Sequence, residues 1–139
     1  MSEGFVADSS VGVAWAVHAQ ASDETDRLLE EVAAGTPLVV PTLWPFELAN
    51  SLLVLLRRKR IRAPERDRAL AALARLPFLV DDEGPRFALG SISELAAQQG
   101  LSVYDAAYLE LAVRRKLPMA SRDEALCKAA RNCGVKLLL

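Results

Sequence analysis

Short apolar runs alternate along the chain with longer stretches whose hydrophobic positions recur every three or four residues. The runs are Phe5-Val6-Ala7, Pro37 to Pro41, Pro77 to Val80, Leu117 to Ala120 and Val135 to Leu138. Brief, almost unbroken apolar segments of this kind predict strands buried on both faces. The longer stretches predict helices. Val11 to Val17 gives a helical turn or two. Ser22 opens a second helix, with Thr25 three residues on, acids in the first turn and Gly35 as its stop. Thr42 reads as the N-cap of a helix from Leu43 to about Lys59, with Pro45 in its first turn, where a missing N–H has no partner to lose. Phe46, Ala49, Leu53 and Leu56 define its predicted core face. Pro64 starts a helix to Leu76, and another runs from about Arg86 to Gln99 before Gly100. Ser102 caps Val103 to Arg115, whose predicted apolar side holds Ala106, Leu109 and Val113. Asp123 to Asn132 is the last helix, stopped by Gly134.

Strands separated by helices of this length imply crossover connections, hence a mainly parallel sheet covered on both faces. The expected fold is a three-layer α/β/α sandwich with a central mainly parallel sheet. At 139 residues the chain has room for a single domain, 1–139, without linkers or repeats.

Composition narrows the chemistry. Hydrophobic residues make up 52% and charged residues 25%, a globular balance that argues against disorder. No apolar run approaches the roughly 20 residues of a membrane span. Met1-Ser2-Glu3-Gly4 lacks the basic n-region of a signal peptide, so the expected setting is soluble and cytoplasmic, with no membrane partner. Cys127 and Cys133 are six apart and the chain has one histidine, His18, which excludes a Cys/His zinc site and triad chemistry built on imidazole. His18 reads as a surface residue at a helix end, and the two cysteines as packing thiols. Chemistry is left to carboxylates, hydroxyls or a bound metal. The net charge is −1, so only local charge can steer a partner.

Ligands in open parallel α/β sheets bind at the carboxyl ends of the strands. Asp8 follows the first strand directly, Glu47 lies one turn into the helix after the second, and Asp123 lies just beyond the fourth. Asp105 stands in the first turn of the helix that Ser102 caps. Each has a plain alternative. Asp105 with Ser102 is a capping pair, Asp123 suits a helix N-terminus, and Glu47 is also readable as a solvated helix acid. Asp8 is hardest to explain away, because an acid after a buried strand is disfavoured unless something compensates it.

Together the acids suggest more than separately. Carboxylates gathered within a few ångströms repel one another unless a cation lies between them. Hard oxygen ligands select Mg²⁺ or Mn²⁺, ions suited to phosphodiester hydrolysis because they orient phosphate, acidify water and stabilise developing charge. Such a site needs no histidine.

Four segments carry a resemblance. Phe5-Val6-Ala7-Asp8-Ser9-Ser10, Pro41-Thr42-Leu43-Trp44-Pro45-Phe46-Glu47-Leu48-Ala49-Asn50, Leu101-Ser102-Val103-Tyr104-Asp105-Ala106-Ala107-Tyr108 and Ala120-Ser121-Arg122-Asp123-Glu124-Ala125-Leu126 resemble, in order and spacing, the four motifs of PIN-domain nucleases. More specifically the chain looks like a VapC-type toxin of a type II toxin–antitoxin pair. The resemblance implies a PIN-like sandwich and a Mg²⁺- or Mn²⁺-dependent endoribonuclease leaving 5′-phosphate and 3′-hydroxyl ends. It implies catalytic roles for Asp8, Glu47, Asp105 and Asp123, with Asp8, Asp105 and Asp123 as metal ligands. Ser10, Asn50 and Ser121 match the family's small polar groups around the metal and the scissile phosphate. It also implies an RNA substrate, a homodimer, and a cognate antitoxin whose C-terminal segment covers the acidic groove.

Other readings compete. A haloacid-dehalogenase phosphotransferase would need a second acid two residues after Asp8, where Ser10 stands, and a receiver domain would need an acid beside Asp8. A non-catalytic PIN-like binding module, its acids holding a structural cation, is the alternative from a different class. The basic run Arg57-Arg58-Lys59-Arg60-Ile61-Arg62 is either a solvated helix end or a contact for RNA or antitoxin. Trp15 and Trp44 are candidates for base stacking or for the core. The helices at Leu43–Leu56 and Arg66–Leu76 serve equally as dimer face or core.

Overall fold

In a computed structural model that describes residues 3–139, the short apolar runs form the sheet. Met1 and Ser2 lie outside the described residues. Strands β1 (Phe5–Ala7), β2 (Leu38–Pro41), β3 (Leu79–Asp81) and β4 (Met119–Ala120) pair in the order β3-β2-β1-β4, every pair parallel. β1 and β2 are buried along their whole length, as their unbroken apolar sequences require. The predicted last strand is reduced to one parallel bridge, Met119 to Leu137. Two backbone bonds through Met119 hold it, from its N–H to Lys136 and from Leu138 to its carbonyl.

The helices are α1 (Ser9–Ala16), α2 (Asp23–Ala33), α3 (Trp44–Arg57), α4 (Ala63–Arg75), α5 (Ser93–Gln99), α6 (Val103–Arg115) and α7 (Glu124–Asn132). α1 packs on α2, α3 and α4, while α6 packs on β1, β2, α5 and α7, giving the three-layer sandwich the alternation implies. No helix among the described residues is long and apolar enough to cross a membrane.

Several expectations need correction. Thr42 does not cap α3; Leu43 occupies that position without a side-chain bond, and Pro45 in the first turn removes one N–H that would need a cap. The core face of α3 is Trp44, Leu48 and Leu52, whereas Phe46 stands 78% exposed and Ala49 is exposed too. The helix starts one residue later than its pattern suggested, and the indole of Trp44 takes the inward position. In α6 Val113 is exposed while Tyr108, Leu109, Leu111 and Ala112 are buried, because this helix is covered on more than one side. The stretch expected as one helix from about Arg86 is a 3-10 turn (Gly84–Phe87), a single wide turn (Ala88–Ile92) and then α5, broken where Gly90 leaves helical geometry. His18 is exposed in a 3-10 turn (His18–Gln20) after α1.

Gly12 sets the distance between α1 and α3. A Cβ there would lie 2.6 Å from Leu48 Cδ2 and 3.1 Å from Trp44 Cζ2. Trp44 is fully buried, and its indole donates to the backbone carbonyl of Asp8 at 3.2 Å. Trp15 is partly buried and donates to the Thr25 carbonyl at 2.7 Å, so both indoles serve the fold. The helices at Leu43–Leu56 and Arg66–Leu76 likewise give their buried side chains to the core.

Candidate functional site

Asp8 ends β1 and caps α1. Its Oδ1 accepts from Ser10 Oγ at 2.6 Å and from the Val11 N–H at 3.3 Å, and its Oδ2 accepts from Ser121 Oγ at 2.6 Å. Only 5% of the residue is exposed. Burial pushes its pKa up, the two hydroxyls and the Val11 N–H pull it down, and the charge of Asp105 adds to the rise. The net direction is upward.

Glu47 projects from the first turn of α3 and accepts a short hydrogen bond from the Tyr108 hydroxyl. Its carboxyl is raised, first by burial and then by the charges of Asp105 and Asp8, with the Tyr108 bond opposing. The same burial and the same acids push the Tyr108 phenol far upward, so it remains a donor. Asp105 lies in the first turn of α6, where its backbone N–H donates to Ser102 Oγ at 3.0 Å. Its carboxyl is raised by burial and by repulsion from Asp123. Asp123 is exposed and caps α7, accepting from the Leu126 N–H at 3.0 Å. The capping readings of Ser102 with Asp105 and of Asp123 therefore hold, and both acids still face the others electrostatically.

The serines tie the motifs together. Ser121, buried, donates to Asp8 and accepts from the Asp123 N–H at 3.0 Å. Ser10 donates to Asp8 and accepts from the Arg122 N–H at 2.9 Å. Asn50 is exposed on α3 and shares a groove with Ser10 rather than bonding an acid. Cys127, half-buried like Cys133, donates to the Ser121 carbonyl at 3.3 Å.

One acid at this sheet edge behaves differently. Asp81 ends β3 in register with Pro41 and is 1% exposed. Burial raises its pKa, but Arg114 and Arg115 overcome that and hold it below the usual range. Arg114 reaches Asp81 at 2.6 Å and Glu110 at 2.7 Å, and Arg115 reaches Asp81 at 2.8 Å. No lysine or arginine among the described residues forms an ion pair with Asp8, Glu47, Asp105 or Asp123. Among the described residues, Asp81 is neutralised by arginines while the other four acids form no ion pair.

That contrast bears on a metal. The donors are carboxylate and hydroxyl oxygens, hard ligands of the kind Mg²⁺ and Mn²⁺ take. Among the described residues no group of three or more His, Cys, Asp or Glu side chains is assembled as a ready cage, since Asp8 is turned to the serines and Glu47 to Tyr108. Mg²⁺ binds through one or two carboxylates and keeps its remaining waters, so a full cage is not required. The residues fit such an ion.

Reading the sequence missed Tyr108 and Asp81. Tyr108 was visible as the residue one turn after Asp105 on the same helix face. Asp81 carries no local signal, because its partners lie more than thirty residues away.

The fold is similar to that of several solved structures. PAE2754 from Pyrobaculum aerophilum superposes with a TM-score of 0.68 at 22% identity, over 99% of this chain and 92% of that one. VapBC2 from Rickettsia felis, bound to a DNA fragment from their promoter, gives 0.65 at 15% identity, over 96% of each chain. FitAcB from Neisseria gonorrhoeae gives 0.61 at 15%, over 96% of this chain and 95% of that one. No curated protein matches the sequence. Residues 5–132, from the first strand through the last helix, match the PIN domain, and the chain belongs to that family, whose members are generally nucleases.

Proposed function

We propose that the chain is a divalent-metal-dependent endoribonuclease and the toxin of a type II toxin–antitoxin pair. The observation that carries the reading is the set of uncompensated acids at the strand ends. Asp8, Glu47 and Asp105 are each raised by burial and by another acid, and no lysine or arginine among the described residues pairs with them. Asp8 and Asp105 are the principal metal ligands and Asp123 a further one, with Glu47 holding the metal or its water; the ion is Mg²⁺ or Mn²⁺. When bound, that ion supplies charge neutralisation at the scissile phosphate and a more acidic water.

The chain's own residues prepare the site. Ser10 and Ser121 fix Asp8 by donating to opposite oxygens, and Tyr108 fixes Glu47. Hydrogen-bonded support of this kind orients ligating carboxylates. Burial and the neighbouring acids raise the Glu47 carboxyl, and a cation or its water beside it would offset that repulsion.

The likeness to VapBC2 and FitAcB supports an antitoxin partner, and the VapC-type motifs add the reading of a homodimer. Exposed Phe46, Leu89 and Tyr104 offer apolar surface for such contacts. The test is end-mapping of cellular RNA treated with purified protein, wild type against Asp8→Asn, in Mg²⁺, Mn²⁺ and EDTA. New 5′-phosphate ends that require both metal and Asp8 are the expected result. Identical patterns for wild type and variant in all three conditions would leave the non-catalytic binding module in its place.

A further inference from the structure

The groove between α1 and α3 joins the acids to a group of cations that the site itself does not use. It encloses about 350 Å³ and is lined by Ser10, Gln20, Asn50, Ser51 and Val54, among others. At one end Ser10 is bonded to Asp8. Along α3, Glu47, Asn50, Ser51 and Val54 follow spacings of three and four, which places them on one helix stripe. From Glu47 to Arg57, its last residue, the helix runs roughly 15 Å.

Beyond it, Lys59 takes a left-handed conformation (φ 58°) and Ile61, 6% exposed, anchors the turn into the core. Arg57, Arg58, Lys59, Arg60 and Arg62 are left exposed around that anchor. None of the five forms an ion pair among the described residues.

We propose that this basic turn grips the phosphate backbone of a single-stranded RNA whose scissile phosphate lies at the acids, the strand following the α1/α3 groove between them. The proposal deepens the nuclease reading and rests on it. With a net charge of −1 the molecule has no overall attraction for a polyanion, and the acids repel phosphate, so affinity has to come from a local concentration of cations. The turn holds five of the chain's 17 lysines and arginines in six residues. Ser10, Gln20, Asn50 and Ser51 offer hydroxyls and amides to phosphate and sugar oxygens, beside apolar Val13, Val54 and Leu55.

The test measures binding of fluorescent oligouridine in EDTA across a salt series. Wild type is compared with Arg57→Ala/Arg58→Ala/Arg60→Ala and with a control of equal charge change, Arg27→Ala/Arg75→Ala/Lys136→Ala, all exposed positions. Each single-strand phosphate contact contributes roughly 0.7 to the slope of log affinity against log salt, so the turn variant should lose about 2 while the control keeps the wild-type slope. Equal slopes in all three proteins, or equal losses in both variants, overturn the proposal and leave the run to a protein partner. Circular dichroism melting, expected to be unchanged, excludes misfolding. Cleavage in Mn²⁺ separates the two ideas. If wild type cuts RNA and the turn variant keeps its full slope, the basic turn fails and the nuclease stands. If nothing cuts but the turn variant alone loses its slope, the RNA contact stands and the nuclease reading fails.

Discussion

Ser121 donates its hydroxyl to Asp8 Oδ2 at 2.6 Å across 113 residues of chain, joining the end of β4 to the end of β1. The same oxygen accepts from the Asp123 N–H, so one buried hydroxyl fixes the first acid and the start of α7 together. Ser121→Ala removes a hydrogen bond to a buried carboxylate and orphans an amide. The expected cost is about 2 kcal/mol in urea unfolding, with Ser51→Ala, on the exposed groove, near zero. A Ser121→Ala loss no larger than that of Ser51→Ala would show that the bond contributes nothing.

Arg114 is the centre of the other network, bridging Asp81 and Glu110. Arg114→Ala leaves buried Glu110 without its cation and Asp81 with Arg115 alone, and should cost roughly 3 kcal/mol, with Arg115→Ala costing less because it touches Glu110 nowhere. The folded-state pKa of Asp81 is depressed, so its stabilisation is present above the unfolded value near 3.9 and is lost as pH falls through the folded one. The difference between wild type and Arg114→Ala should therefore shrink in acid. A gap in urea midpoint that stays constant from pH 7 down to pH 3 would contradict this.

Asp8, Glu47 and Asp105 run the opposite way. Their folded pKa values are raised, so their contribution to stability is complete below the unfolded values near 4 and is lost as pH rises through the folded ones. Metal-free protein at neutral pH carries that repulsion, and a cation relieves it. Adding Mg²⁺ at pH 7.5 to about a hundred times its Kd should stabilise the wild type by about 2.7 kcal/mol. Asp8→Asn should respond much less. Equal rises in Tm for the two proteins would remove Asp8 from the metal site.

How much of this was readable in the chain depends on where the partners lie. Asp8, Ser10, Ser102, Asp105 and Asp123 interact within three residues of themselves or sit at strand and helix junctions, so pattern and spacing placed them. The sheet was legible for a similar reason, since β1 and β2 are uninterrupted apolar runs with no exposed face. The core faces of α3 and α6 were not. Periodicity assumes one buried stripe, whereas Trp44 bonds the Asp8 carbonyl from the first turn and α6 is covered on more than one side. The break at Gly90 and the single bridge at Leu137 were hidden too, because neighbouring residues leave both helix and strand permitted there.

Tyr108→Phe tests whether the residue that pattern reading passed over matters to the site. The ring is fully buried and Phe preserves it, so stability should change little. Glu47 loses its only side-chain hydrogen-bond donor among the described residues. Loss of such support for a metal-site carboxylate typically costs 10- to 100-fold in affinity or activity, and roughly tenfold is expected in Mn²⁺-dependent RNA cleavage. Unchanged cleavage with an intact fold would make the Tyr108–Glu47 bond purely structural.

Gly12→Ala reaches the site through packing. The added methyl meets Leu48 Cδ2 at 2.6 Å and Trp44 Cζ2 at 3.1 Å, so the end of Leu48 has to turn aside and the indole has to give by a few tenths of an ångström. Overpacking of this kind costs about 1–3 kcal/mol. Because the Trp44 indole holds the Asp8 carbonyl, the same adjustment is felt at the first acid. Leu48→Ala in the Gly12→Ala background opens room for the methyl. The double variant should therefore be less destabilised than the sum of the two single changes, as measured by urea unfolding. Strict additivity would mean that α1 and α3 do not meet at this point.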